Sequence, residues 1–242
     1  MLTIPAIDLR GGAVVRLLRG RFDRETRYDA DPVAVARRWR EAGATWIHIV
    51  DLDGARAGRP SQLDVVRRIV TAVGGPIQLG GGLRTPSDID AALHAGVDRV
   101  VCGSAVLSDL DVVAAAAARH GDRVAAAIDG RHGRVSIGGW TREADVSPVD
   151  LAIRLRDAGI VRIVYTDITR DGTMDGPNVD ATCRIARQSG CAVIASGGVS
   201  SLDDLRTLAR LDEVGVEGAI VGRALYEGRF TLPEAVAATE GG

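Results

Sequence analysis

The chain has 242 residues, 46% of them hydrophobic, and a formal net charge of −2. That is enough apolar material for a sizeable core, without the basic excess of a nucleic-acid or anionic-membrane surface. The N-terminus, MLTIPAID, has no basic start or long apolar segment, and no later apolar run approaches the roughly 20 residues needed to span a bilayer, so a cytoplasmic protein is predicted.

In chain order, the first apolar run, near residues 2–8, carries Asp8 in the phrase AIDLRGG. RLLRGRFDRETRY (16–28) follows with five arginines, and it suits either a lid over an anionic substrate or a solvated arginine face. Asp31-Pro32 to Gly43 then reads as a helix with a capping residue, Pro at the first turn and Gly past the end. Thr85-Pro86 to Gly96 and Ser147-Pro148 to Gly159 carry the same punctuation. After each Gly comes a short apolar run, WIHIVDLD, VDRVVCGS and VRIVYTD, too short for a helix and continuous rather than alternating. Such runs suit strands buried on both faces of a parallel sheet. Strands are predicted near 2–8, 46–51, 76–80, 98–103, 123–129, 161–167, 192–196 and 217–221, with helical stretches between them. Eight βα units in a chain of this length predict an α/β fold, a (β/α)8 TIM barrel.

The phrase AIDLRGG returns as AIDGRHG, and Asp129 lies 121 positions after Asp8, half the chain. Gly81 to Gly197 and Asp51 to Asp167 are each 116 apart. The expectation is one domain, 1–242, built from two half-barrel repeats of about 1–121 and 122–242. A doubly wound sheet would not explain the even halves.

Residues at the C-terminal ends of barrel strands face the active site. Asp8 and Asp129 should therefore oppose each other across the mouth. They can divide acid and base roles if their surroundings push their pKa values apart, the alternative being capping or salt-bridged aspartates. Glycine clusters supply a second signal: Gly81 and Gly82 with Gly103 and Ser104 in one half, Gly197 and Gly198 with Gly222 and Arg223 in the other. Free backbone N–H groups at such turns favour anions, although tight βα turns also use glycine. Two symmetric pairs imply a small-molecule ligand with a phosphate at each end.

His48 could be a core histidine or a site residue, since strand alternation puts it in phase with Val50 rather than Asp51. His94, His120 and His132 read as helix or loop positions. Trp140, in IGGWTREADVSP (137–148), could stack on a planar heterocycle or simply pack. No HxH, HExxH or clustered Cys/His appears, so no metal is expected, and TDITRDGTMDGPN lacks the ligand spacing and terminal Glu of a calcium loop. Cys102, Cys183 and Cys191, odd in number and without a CxxC pair, read as structural thiols.

IPAIDLRGG, VDLDGARAGRP, GGGLRT, TDITRDGT, ASGGVSS and AIVGRALYEG, spread over essentially the whole chain, resemble the HisA-type phosphoribosylformimino-AICAR-phosphate isomerases of histidine biosynthesis. The resemblance implies an Amadori rearrangement, an aldose-to-ketose isomerisation of a ribosyl amine with two phosphates. It makes Asp8 the general base and Asp129 the general acid. Thr166 and Asp171 match site positions of strand and loop six, and Arg16 matches a substrate-contacting residue of loop one. It implies no cofactor, the nitrogen serving as electron sink; a monomer without nucleic-acid or membrane partners is expected. The related cyclase usually carries Lys at the position of Arg16 and Ser at that of Asp167, and needs a glutaminase partner. A non-catalytic phosphosugar-binding barrel would keep the glycines and lose an aspartate. The bifunctional relatives that also isomerise phosphoribosylanthranilate usually carry an Arg two residues before Trp140 and often a Ser before the strand-three Gly-Gly pair. Here those positions are Gly138 and Gly80, although Arg19 or Arg142 could supply the charge.

Overall fold

The computed structural model describes residues 1–137, 139–140 and 142–240; Gly138 lies outside the described residues. Strands β1 (Leu2–Arg10), β2 (Ala13–Leu18), β3 (Arg21–Asp29), β4 (Ile47–Asp51), β5 (Ile77–Gly80), β6 (Arg99–Cys102), β7 (Val124–Arg131), β8 (Arg134–Ile137), β9 (Arg142–Ala144), β10 (Arg162–Asp167), β11 (Ala192–Ser196) and β12 (Val216–Val221) form one sheet. Eight of them, in the order β1-β4-β5-β6-β7-β10-β11-β12, close a parallel ring through the β10–β7 and β1–β12 ladders. β1 and β7 stand opposite each other in that ring.

Helices begin where the capping residues predict. Asp31 accepts from the amides of Val33 and Ala34 ahead of Pro32–Glu41, Thr85 and Asp88 form a capping box ahead of Pro86–His94, and Ser147 accepts from Asp150 ahead of Pro148–Asp157. Continuous apolar runs bury both strand faces. One face packs against the helices, with Ile7, Ile49, Leu79, Val100 and Ile128 in that shell. The other fills the barrel with Ile4, Ala6, Val101, Ala125, Val164, Ile194 and Ile220. No described helix is long and apolar enough to cross a membrane.

The segment expected as a lid and the one that carries Trp140 both depart from simple loops. Residues 16–28 belong to the antiparallel ribbon β2–β3, and residues 137–148 include the end of β8 and all of β9. The cause lies in the repeated phrase. Gly11-Gly12 and His132-Gly133 both hold positive φ, the backbone of a two-residue hairpin turn, so β1 runs on into β2 and β7 into β8. Asp8 and Asp129 therefore lie at the rim two residues before their strands end.

Asp51 and Asp167, 116 positions apart, organise the next loops. Asp51, 1% exposed, accepts from the backbone N–H groups of Gly54, Ser61 and Gln62 at 2.7, 2.6 and 2.8 Å. Asp167 accepts from Thr169 N and Oγ1 and from Asn178 Nδ2 at 2.9, 2.6 and 2.6 Å. Gly81 lies against the backbone of Asp51 with φ of 105°, and Gly197 against that of Asp167 with φ of 90°. A β-carbon on Gly81 would overlap the Asp51 carbonyl. Gly81→Ala is therefore expected to destabilise the fold by about 2–5 kcal/mol in denaturant melts. Gly103→Ala, where nothing lies within 4 Å of the new carbon, should leave the melt unchanged; equal melts for both variants would contradict this role for Gly81.

Candidate functional site

A cleft of about 260 Å³ opens at the C-terminal rim of the barrel. Asp8, Arg16, His48, Gly81, Gly82, Gly103, Ser104, Asp129, Trp140, Thr166 and Asp171 all line it. The sequence spreads these residues over more than 160 positions, and ring closure brings them to one rim. His48 points inward with Val50, because its ladder partners are Ala6 and Gln78, while the Asp51 carboxylate turns away to its loop.

The two opposed carboxylates have unlike partners. Asp8 Oδ2 accepts from Arg16 Nη1 at 2.9 Å, and Arg16 Nη2 lies 3.7 Å from Asp171 Oδ1. Asp129 Oδ2 accepts from Trp140 Nε1 at 2.8 Å, and its ladder partner is Thr166, whose hydroxyl also favours the carboxylate. Burial raises Asp8 to a pKa of about 6 against the opposing pull of Arg16. Burial raises Asp129 to about 6 as well, against Trp140 and Thr166. Their surroundings thus do not separate the two pKa values. What differs is the partner: Asp8 pairs with a permanent cation, while Asp129 accepts from the neutral donors Trp140 and Thr166. Burial also raises Asp171, again opposed by Arg16.

Trp140 does more than face the cleft. Its ring lies on Gly20 in the β2–β3 turn, where a β-carbon would collide with it, and its N–H reaches Asp129. The indole thus links both ribbons to one carboxylate. Its φ of 70° is strained for a non-glycine residue.

The glycine clusters divide differently from the expectation. Gly81, Gly82, Gly197 and Gly198 all have positive φ and backbone packed where a side chain would go. Close loop packing alone therefore demands glycine at these four positions. Gly103 has neither constraint and borders the cleft. Gly197, Gly198, Gly222 and Arg223 are not in the cleft wall, where Ser196 and Ile220 represent β11 and β12. The loop after β10 covers them: Gly176 N donates to Gly198 O at 3.0 Å, and Arg223 Nη1 donates to Gly172 O at 2.7 Å. A β-carbon on Gly222 would lie 2.5 Å from the Arg16 guanidinium carbon, so Arg16 also reaches this cluster.

Reading by residue type passed over Arg84 and Gln78. Arg84 lines the cleft from the turn after β5, and its place in GGGLRT, beside the glycine cluster, was the available signal. Gln78 is wholly buried below His48, and nothing local marks it. His94 and His120 fall on helix ends and His132 on a hairpin turn. No group of three or more His, Cys, Asp or Glu among the described residues is placed to hold a metal ion.

The histidine biosynthesis protein family profile matches residues 2–231. The chain is 51% identical over 242 residues, all of both chains, to a Moorella thermoacetica protein named 1-(5-phosphoribosyl)-5-((5-phosphoribosylamino)methylideneamino) imidazole-4-carboxamide isomerase. It is 52% identical over 238 residues to the Roseiflexus castenholzii protein of the same name, covering 98% of this chain and 99% of the relative.

The raised Asp129 pKa carries a stability consequence. The folded value of about 6 exceeds the unfolded 3.8, so its contribution is fully present below about pH 4 and lost as pH rises through about 6. Asp129→Asn should then melt above the parent at pH 8, by roughly 1–3 kcal/mol, with the difference shrinking toward pH 4. A gain independent of pH would contradict the burial cost.

Proposed function

The chain belongs to the histidine biosynthesis protein family, and from that membership we propose that it catalyses the Amadori rearrangement of the bis-phosphorylated aminoaldose named by its relatives (ProFAR) to the phosphoribulosyl isomer. The observation that carries this reading is the pair of carboxylates on opposed strands of one cleft, the buried Asp8 held by a guanidinium and the half-buried Asp129 by neutral donors.

Asp129, in its acid form, gives its proton to the ribose ring oxygen. The C1′–O bond breaks and the nitrogen lone pair forms a protonated Schiff base. Asp8, as its anion beside Arg16, takes the C2′ proton, and the C2′–H electrons neutralise the iminium as an enolamine. Return of a proton to C1′ and loss of the enol proton give the ketose, so the net proton count is zero. Thr166 holds Asp129 in place, and Asp171 and Trp140 bound the sugar and heterocycle. The chemistry needs no cofactor or metal.

The relatives' substrate carries two phosphoribosyl groups. One phosphate is assigned to the open turn at Gly103 and Ser104 with Gly81 and Gly82. The other is assigned to Gly197, Gly198, Gly222 and Arg223, which requires the loop after β10 to shift off that cluster. The two halves, about 1–121 and 122–242, are read as repeats within one domain, and the protein as a cytoplasmic monomer without nucleic-acid or membrane partners.

Asp8→Asn and Asp129→Asn should each lower kcat for ProFAR by about 10²–10⁴-fold with unchanged circular dichroism. For the parent, kcat/KM should follow a bell around pH 6, falling on the acid side as Asp8 takes up a proton and on the basic side as Asp129 loses the one it donates. Near-parental turnover by either variant would overturn the roles assigned here.

A steady-state assay with ProFAR and phosphoribosylanthranilate tests the substrate. Without an Arg at Gly138, the anthranilate carboxylate forgoes a charge-assisted bond of about 1.5–3 kcal/mol, so kcat/KM for it should be at least about one to two decades lower. Comparable values for both would refute a single-substrate enzyme.

A further inference from the structure

Three polar side chains form a row beneath the cleft. His48, Gln78 and Arg99 come from β4, β5 and β6, and the ladders set His48 opposite Gln78 and Gln78 opposite Arg99. All are buried, Gln78 completely. Arg99 Nη1 donates to Gln78 Oε1 at 3.1 Å, and Gln78 Nε2 lies 3.0 Å from His48 Nδ1.

Only one arrangement of protons satisfies this row. A guanidinium has donors and no acceptor, so Gln78 must turn its carbonyl oxygen to Arg99 and its NH2 to His48. An amide NH2 does not accept, so His48 Nδ1 must be the bare nitrogen, and a neutral ring then carries its proton on Nε2. Burial, with Arg16 nearby, lowers the His48 pKa to about 3, which keeps the ring neutral. Arg99 is itself held with its guanidinium 4.1 Å from the Trp46 ring centroid. Burial lowers its pKa to about 10, which leaves it a cation at neutral pH.

We propose that Arg99 and Gln78 are positioning residues that lock His48 as the Nε2–H tautomer, so that the cleft floor presents a fixed hydrogen-bond donor to the substrate's C2′ oxygen. His48 lines the cleft one layer below Asp8, because β1 sets Ala6 beside His48 and Asp8 beside Val50. In the isomerisation the C2′ hydroxyl ends as a ketone, an oxygen that can only accept. A locked donor therefore binds the product-like oxygen better than the hydroxyl, whereas the other tautomer would repel it. The identity of this oxygen rests on the isomerase reading; the tautomer lock is a property of the free protein.

Long-range proton–nitrogen spectra of imidazole-labelled protein at neutral pH test the lock directly, with His48→Gln identifying the signals among the four histidines. The parent should show His48 with a protonated Nε2 and a bare Nδ1. Gln78→Glu places a pure acceptor beside the ring and should put a proton on Nδ1. A protonated Nδ1 in the parent, or a bare one in Gln78→Glu, would overturn the lock. Arg99→Met frees the Gln78 amide to flip, so both tautomers should appear and kcat/KM for ProFAR should fall about tenfold or more. Arg99→Lys, again a donor without an acceptor, should restore the parental tautomer and recover most of the rate. A rate loss in Arg99→Met with the parental tautomer intact would reduce Arg99 to a structural role. A parent with the predicted tautomer and no ProFAR turnover would refute the isomerase reading and leave the lock standing.

Discussion

Closure of the sheet through the β7–β10 and β1–β12 ladders is the constraint on which the remaining geometry depends. In a closed parallel ring, each residue's parity decides whether its side chain enters the barrel or meets the helices. Ala6 and Asp8, His48 and Val50, Val164 and Thr166 thereby share the inner face, with aliphatic layers beneath them and polar groups at the rim. A one-residue slip of β1 would put Ile7 or Leu9 in place of Asp8, and one of β7 would put Ile128 or Gly130 in place of Asp129.

At that rim the ring concentrates charge on side chains with little exposure. Arg16 faces both Asp8 and Asp171, and its Nε is buried with no hydrogen-bond partner among the described residues. An arrangement of two carboxylates and one guanidinium stabilises the fold poorly, because each ion loses hydration on burial. Its value lies in chemistry: burial raises both Asp8 and Asp129 to about 6, where each can hold or release a proton near neutral pH. The Trp140 indole, between Gly20 and Asp129, makes the position of both ribbons part of the same electrostatic setting.

The pseudo-symmetric pairs show how one pattern serves unlike purposes. Asp51 with Gly81 and Asp167 with Gly197 anchor equivalent loops through buried, saturated carboxylates. Asp8 and Asp129, in equally similar sequence settings, have one or two donors each among the described residues and face the cleft. Saturation by backbone and side-chain donors fixes the first pair as structural; its absence leaves the second pair able to exchange protons.

Eight short apolar runs between capped helices determined the barrel from the sequence alone, because periodicity, caps and glycine stops are local properties of the chain. The phrase AIDLRGG and its echo marked two aspartates for the same reason. The hairpins that follow them were legible only in part: Gly11-Gly12 and His132-Gly133 are turn signals, but the outer strands β3 and β9 have no buried residue to show a strand period. The dual role of the glycines, the shared guanidinium of Arg16, the raised pKa values of Asp8 and Asp129 and the row from Arg99 to His48 were decided by the tertiary structure. Each depends on desolvation or on a hydrogen bond between strands that ring closure brings together, and both quantities are set by distance through space, which the linear order of residues does not contain.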